Sequence, residues 1–270
     1  MNVFNVFSGD GPVILAQPHG GTDVPEDVFA RLNPVGQGLS DTDWHIDQVY
    51  DGLLDGASAV RSNIHRYVID ANRDPSGASL YPGQNTTTLC PLTDFDGNDI
   101  WRAGQAPSED EVEQRRAAFH APYHAALAAE IDRVHAQYGV AIIYDCHSIR
   151  SDIPFLFAGT LPVFNIGTNG GVTCAHRIEH LVQAQCVAAS KFDTVLNGRF
   201  KGGWTTRHYG HPGVGKHAIQ MELAQRAYMD DAAPWAYRPD RAAHVRPVLA
   251  DILAKLDHLA RSGALSQTGA

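Results

Sequence analysis

Histidines and acidic residues lie at two points of this 270-residue chain where an apolar run ends. His19 and two glycines follow the run 13–16, and Asp145 and His147 follow the continuously apolar run 140–144. Neutral imidazole is the commonest metal ligand, and a buried charge costs free energy unless it is paired or metal-bound. These residues could therefore hold a metal, with Asp145 fixing the tautomer of His147. The alternatives are a tight turn with an incidental histidine at His19 and a buried, hydrogen-bonded histidine at His147.

A third polar cluster spans Ser40–Asp47 and is interpreted as the start of a helix. An acid in a first helical turn is ordinary capping chemistry, but Asp41, Asp43 and His45 together exceed what a cap needs. At helical spacing Asp41 and His45 project from one face and could converge on a metal. Glu222 ends a later alternating run, where it is either an acid at a strand edge or a general base, and spacing does not separate these roles.

Arginines form a second kind of candidate site. Asn72 and Arg73 lie just beyond the predicted strand Tyr67–Asp70. A guanidinium there suits bidentate recognition of a carboxylate, and an ion pair with a neighbouring aspartate is the equal alternative. A glycine-bracketed loop further along the chain carries Arg207 and His208.

Short β-branched runs alternate with helical patterns, which predicts an α/β protein. The strand candidates are Pro12–Ala16, Ala59–Asn63, Tyr67–Asp70, Val140–Tyr144, Val163–Ile166 and Ala218–Leu223. Helices are predicted from a capping box at Ser108 to about Tyr138, over Val172–Ala189, and from about Asp240 to Arg261. No repeat or linker divides the chain, which predicts a single domain over residues 1–270 with Pro75–Gly104 as a long functional loop.

Composition and charge exclude several classes of function. With 21 Lys and Arg against 30 Asp and Glu the net charge is −9, so nucleic acid is not expected as a partner. The sequence shows neither a targeting peptide nor a run of about 20 apolar residues, so no membrane partner is expected. Its four cysteines do not form a disulfide framework, which predicts a cytoplasmic protein.

One motif is rejected as a functional site. The segment 210–216 resembles a phosphate-binding loop, but His217 stands where that motif needs Ser or Thr, so nucleotide binding is not expected.

Several motifs follow one another between about residues 11 and 230, namely Pro18–Gly21, Ser40–Trp44, Arg66–Arg73, Asp145–Ser148, Gly202–Arg207 and Gln220–Leu223. Together they resemble the N-formylglutamate amidohydrolase family, in particular its deformylases of histidine degradation. The resemblance implies a three-layer α/β/α fold with a central mixed sheet. This is the zinc-exopeptidase (phosphorylase/hydrolase) type that carboxypeptidases, succinylglutamate desuccinylases and aspartoacylases share.

The resemblance also implies a metal site. By analogy with those relatives, His19 and His147 are two ligands of one zinc ion or of another divalent transition metal. Their third ligand is a glutamate three residues after the first histidine, but here that position holds Thr22, a poor zinc ligand. The third ligand is therefore expected from elsewhere in the chain, and the polar cluster before residue 47 is its natural source. The candidates are Asp43, which is preferred, and the alternates Asp41 and His45.

The substrate and the reaction follow from the same resemblance. Water would attack the formyl carbonyl of N-formyl-L-glutamate with Glu222 as general base, which releases formate and L-glutamate. Asn72–Arg73 and Arg207 would bind the two carboxylates, with His208 or His211 beside the oxyanion. The alternatives are another N-acyl-amino-acid amidohydrolase of this fold, similar to desuccinylases or aspartoacylases, and a non-catalytic protein that binds a metal or a carboxylate. The sequence does not indicate the oligomeric state.

Overall fold

The computed structural model describes residues 1–80 and 83–265, and at its centre is a seven-stranded mixed sheet. In chain order the strands are β1 (Phe4–Phe7), β2 (Val13–Gln17), β3 (Ser58–Ser62), β4 (Ala141–Ile149), β5 (Phe164–Gly167), β6 (Thr194–Leu196) and β7 (Lys216–Ala224). They lie in the order β1-β3-β2-β4-β7-β5-β6. Strands β3, β2, β4 and β7 run parallel, so their carboxyl ends meet at one edge, where α/β proteins bind ligands. Strands β1 and β5 pair antiparallel with β3 and β7.

Helices cover both faces of the sheet, which confirms the predicted three-layer α/β/α fold. They are α1 (Glu26–Arg31), α2 (Pro34–Gln37), α3 (Ile46–Tyr50), α4 (Glu109–Arg115), α5 (Ala121–Tyr138), α6 (His176–Ala188), α7 (Trp204–Tyr209) and α8 (Pro239–Arg261), with a π-helical turn, Arg116–His120, between α4 and α5. Helix α5 packs on one face of the sheet, and α3, α6 and α8 pack on the other. All nine residues of β4 are consequently buried. Within residues 1–80 and 83–265, no helix has the length and hydropathy that crossing a membrane requires.

The helix predicted from the capping box begins where expected. The Ser108 hydroxyl accepts a hydrogen bond from the Glu111 N–H, and the helical segment ends at Tyr138, before a glycine in the left-handed conformation. Helix α6 begins at His176, four residues later than predicted, because the preceding residues form turns on the Thr168 carbonyl.

The predicted strand Tyr67–Asp70 is wrong. This segment is a turn, in which the Val68 N–H donates to the His65 carbonyl at 2.9 Å. Tyr67 and Val68 are buried, but they pack against α1 and Trp101 and not within the sheet. A short apolar run is compatible with burial in such a satellite cluster as well as with a strand, and periodicity alone does not separate the two.

Other boundaries also differ from the prediction. Asp145 and His147 lie inside β4, not in a loop after it, whereas Glu222 lies inside β7, in the strand predicted for it. Strands β1 and β6 were not predicted, and the glycine-bracketed loop forms α7. The polar cluster before α3 is a series of turns, and His45 has a φ of 59°, a left-handed conformation that a helix does not continue through. Asp41 and His45 therefore do not share a helical face.

Candidate active site

The carboxyl edge of the sheet brings the candidate side chains together. His19 follows β2 by two residues, and His147 lies within β4, which pairs with β2. Asp43 belongs to the turn before α3, and its N–H donates to the His19 carbonyl at 3.1 Å. Glu222 of β7 stands directly opposite His147 of β4 in the parallel register. Segments that are distant in sequence therefore meet at one point.

His19, Asp43 and His147 form a compact set of buried donors. The Nδ1 atoms of the two histidines are 3.2 Å apart. Asp43 Oδ2 lies 3.4 Å from His147 Nδ1 and 3.9 Å from His19 Nδ1. Two imidazoles and a carboxylate whose ligand atoms all lie within 4.8 Å of one another could hold a divalent transition metal.

Two further carboxylates hold the histidine rings. Asp70 Oδ1 lies 2.7 Å from His19 Nε2. Asp145 Oδ1 lies 2.9 Å from His147 Nε2. When each ring donates its outer N–H to a carboxylate, both Nδ1 lone pairs point at each other, and a cation between them satisfies both, so the residues fit a metal ion. Against the effect of burial, Asp145 also raises the pKa of His147.

Asp43 is also fixed by two hydrogen bonds to its carboxylate. Arg66 donates to Asp43 Oδ1 at 2.5 Å, and the Ser148 N–H donates to Oδ2 at 3.0 Å. Against the effect of burial, Arg66 holds the pKa of Asp43 below its usual value. Burial and the Arg66 charge lower the pKa of His19 to about 4, so at pH 7 this ring is neutral and able to bind a metal.

Glu222 is a buried acid beside the donor set. Its side chain accepts a hydrogen bond from Gln220 Nε2 at 3.1 Å and is 7% exposed. Burial, with the nearby carboxylates of Asp43 and Asp145, raises the pKa of Glu222 to about 8. A carboxyl group with a pKa near neutrality can both accept and return a proton, so Glu222 is suited to general acid–base chemistry.

A cavity of about 60 Å³ opens at this edge of the sheet. Its lining contains His19, His147 and Glu222, together with the predicted substrate-binding residues Asn72 and Arg73. The apolar part of the lining consists of Phe95, Ile149, Leu156 and Phe200. The cavity therefore joins the candidate metal donors to an arginine that can bind a carboxylate.

Arg207 and His208 are not among the described residues that line this cavity. Arg207 Nε donates to the Gly202 carbonyl at 2.9 Å, and the His208 ring stacks on Trp204 with centroids 4.0 Å apart. Arg199 lies in the lining instead. Sequence reasoning missed Arg199 because it belongs to no motif, and its only signal is a position shortly before the Gly202–Arg207 motif.

The alternate ligands Asp41 and His45 are engaged elsewhere. Asp41 Oδ2 accepts the Phe95 N–H at 2.8 Å, and burial raises the pKa of Asp41 to about 6. His45 Nε2 donates to the Trp235 carbonyl at 2.8 Å. Of the three candidates for the third ligand, Asp43 is the one that lies beside both histidines.

Comparisons with known proteins identify the family of this chain. Residues 11–229 match the family model described as N-formylglutamate amidohydrolase. The chain is 45% identical to N-formylglutamate deformylase of Pseudomonas aeruginosa, over 94% of this chain and 96% of that protein. It is 43% identical to N-formylglutamate deformylase of Pseudomonas putida, over 94% of this chain and 95% of that protein. A crystal structure of N-formylglutamate amidohydrolase from Ralstonia eutropha JMP134 superposes with a TM-score of 0.80 at 21% identity, covering 97% of this chain and all of that one. The chain therefore belongs to the N-formylglutamate amidohydrolase family.

Proposed function

We propose that this protein is a metal-dependent amidohydrolase that converts N-formyl-L-glutamate to formate and L-glutamate. The observation that carries the proposal is the meeting of His19, Asp43 and His147 around one point, with the buried Glu222 on the neighbouring strand. The two deformylases at 45% and 43% identity support this choice of substrate. We expect the enzyme to act in histidine degradation in the cytoplasm, where its four unbonded cysteines stay reduced.

We propose zinc as the metal, because two imidazoles and a carboxylate are a ligand set of catalytic zinc, although other divalent transition metals take the same donors. When bound, the ion supplies Lewis acidity that polarises the formyl carbonyl and lowers the pKa of water. The protein holds the donors in place for this task. Asp70 and Asp145 orient the two rings, and Arg66 orients Asp43.

Glu222 moves the proton. It takes a proton from the attacking water as the new C–O bond forms, and it delivers that proton to the amine of glutamate as the formyl C–N bond breaks. Its place opposite His147 puts it beside the metal donors, and its raised pKa suits both halves of this transfer.

Two arginines of the cavity lining supply local positive charge for a dicarboxylate in a protein whose net charge is −9. Arg73 is held by a hydrogen bond from Nη2 to Thr87 Oγ1 at 3.0 Å and by Asp70 Oδ2 at 3.7 Å. We propose that Arg73 binds one carboxylate of the substrate. Arg199 lines the cavity, whereas Arg207 does not, so we propose that Arg199 binds the second carboxylate of the substrate.

The test is release of formate from N-formyl-L-glutamate combined with metal analysis of the protein. We expect about one metal ion per chain, loss of activity on chelation and recovery on addition of zinc. Undiminished activity in metal-free protein would exclude the metal-dependent mechanism. N-acetyl- and N-succinyl-L-glutamate serve as parallel substrates, and faster hydrolysis of either would make another N-acyl-amino-acid amidohydrolase the better assignment.

A further inference from the structure

The apolar part of the cavity lining adjoins the candidate metal donors. Ile149 follows His147 by two residues in β4, so both side chains project from the same face of the strand. The guanidinium of Arg66, which donates to Asp43, lies against the Phe95 ring, 4.9 Å from its centroid. Phe95 and Ile149 belong to one buried apolar cluster. Through Phe95, this apolar wall is therefore in contact with Arg66, the side chain that holds Asp43.

Phe95 is held firmly in this wall. Its N–H donates to Asp41 Oδ2 at 2.8 Å, and Asp41 is itself buried. Asp94 Oδ1 accepts the N–H groups of Asp96 and Asn98 at 3.0 and 2.8 Å, which closes the turn around Phe95. A ring that is fixed through its backbone and stacked on a buried guanidinium does not move aside readily, so it sets the space available in the cavity.

In the proposed reaction the formyl carbonyl lies at the metal donors, and the carbonyl carbon carries only a hydrogen on its acyl side. We propose that Phe95 and Ile149 form the wall that faces this hydrogen and that they restrict the acyl group to formyl. The methyl group of an acetyl substrate needs additional volume beside the carbonyl carbon, which an aromatic wall fixed at that position does not supply. This inference rests on the proposed function and names the acyl selectivity of the same site.

The variants Phe95→Ala and the milder Phe95→Leu test the inference on metal-loaded protein. The measured quantity is kcat/KM for N-acetyl-L-glutamate divided by kcat/KM for N-formyl-L-glutamate. We expect this ratio to rise at least about tenfold in Phe95→Ala and less in Phe95→Leu, because one methyl group in an apolar pocket is discriminated by about 10- to 200-fold. Phe95→Leu retains most of the packing, so the same ratio of kcat/KM values can be measured in this variant if Phe95→Ala does not fold.

Phe157→Ala is the matched control. Phe157 packs in the same apolar cluster but is not among the described residues that line the cavity, so its variant should leave the ratio unchanged. An unchanged ratio in the Phe95 variants at wild-type metal content would overturn the inference, and so would an equal rise in Phe157→Ala. Failure of the proposed function would appear separately, as absence of formate release from N-formyl-L-glutamate by the wild-type protein.

Discussion

Glu222 and His147 stand side by side because two neighbouring strands place them there. Their positions on β7 and β4 are matched in the parallel register, so the sheet fixes the distance between the proposed proton carrier and the metal donors. A register shift of one residue would turn either side chain to the other face of the sheet. The chemistry of the site therefore depends on strand pairing as much as on residue type.

Replacing Glu222 with glutamine retains the side-chain volume and removes the group that accepts the proton. We expect kcat for formate release to fall at least about 100-fold, since general acid–base catalysis contributes about 10²- to 10⁴-fold. Metal content and KM should change little, which elemental analysis and steady-state kinetics would establish. Glu179→Gln on α6, where the acid accepts from Thr168, is a control that should retain activity. Near-normal turnover in Glu222→Gln would remove Glu222 from its proposed role.

The sequence motifs identified the residues that could carry out chemistry, but they did not identify most of the residues that support them. His19, Asp43 and His147 were put forward from sequence and lie together in the structure, although their roles as ligands stay a prediction. The motif Gly202–Arg207 also has a part in the site, because Thr206 Oγ1 donates to Asp145 Oδ2 at 2.8 Å. The supporting roles of such residues depend on contacts across the fold, and spacing along the chain carries no signal for them.

Two histidines, His120 at the end of the π-helical turn and His124 in the first turn of α5, point at the short stretch 71–73. His120 Nε2 donates to the Arg73 carbonyl at 3.1 Å, and His124 Nε2 donates to the Ala71 carbonyl at 2.7 Å. The side-chain nitrogen of Asn72, between these carbonyls, lies 3.1 Å from His147 Nε2. The helix therefore holds a stretch of backbone that borders both the cavity and the metal donors.

Removing one of these anchors tests the role of the helix. In His124→Ala we expect kcat/KM for N-formyl-L-glutamate to fall about tenfold, because two hydrogen bonds of about 1 kcal/mol each, to the Ala71 carbonyl and to the Tyr209 hydroxyl, are lost along with packing. Most of the change should appear in KM, since the displaced stretch carries Arg73, and metal content should be retained. His135→Ala near the far end of the same helix is the control. An unchanged KM in His124→Ala would mean that the stretch 71–73 does not need this anchor.

Elements were predictable where their signals were local. The apolar run of β4 and the cap at Ser108 identified a central strand and the start of a helix. Strand β6 has three half-buried residues without alternation, so no sequence pattern predicts this strand. The polar end of β4 was taken for a loop because Asp145 and His147 are not typical strand residues, and their partners across the fold make their burial possible.

Buried histidines make the molecule as a whole sensitive to acid. Burial lowers the pKa of His65 and of His124 to about 3, and that of His217 to about 4. In the unfolded chain each titrates near pH 6.5. The unfolded chain therefore binds more protons than the folded one between about pH 4 and 6.5, and stability falls as the pH falls through this range.

Between pH 7 and pH 5, each of these histidines should lower the free energy of unfolding by about 2 kcal/mol. Asp41 and Glu222 act in the opposite direction, because burial raises their pKa values to about 6 and about 8, and His19, whose pKa is lowered to about 4, adds to the loss. Urea unfolding at the two pH values measures the sum. In His65→Gln the loss of stability should be about 2 kcal/mol smaller than in the wild-type protein. An equal loss in both would show that folded His65 takes up a proton as readily as the unfolded residue does.

The position of β4 between β2 and β7 also affects the chain while it is being synthesised on the ribosome. Strand β2 leaves the ribosome before β4, but β7 follows only after residues 150–215, which takes several seconds at ordinary rates of translation. Throughout that interval one side of a fully buried nine-residue strand exposes unpaired N–H and C=O groups, the kind of edge that pairs with other chains. The nascent protein is therefore most vulnerable to aggregation just before its proposed catalytic glutamate is synthesised.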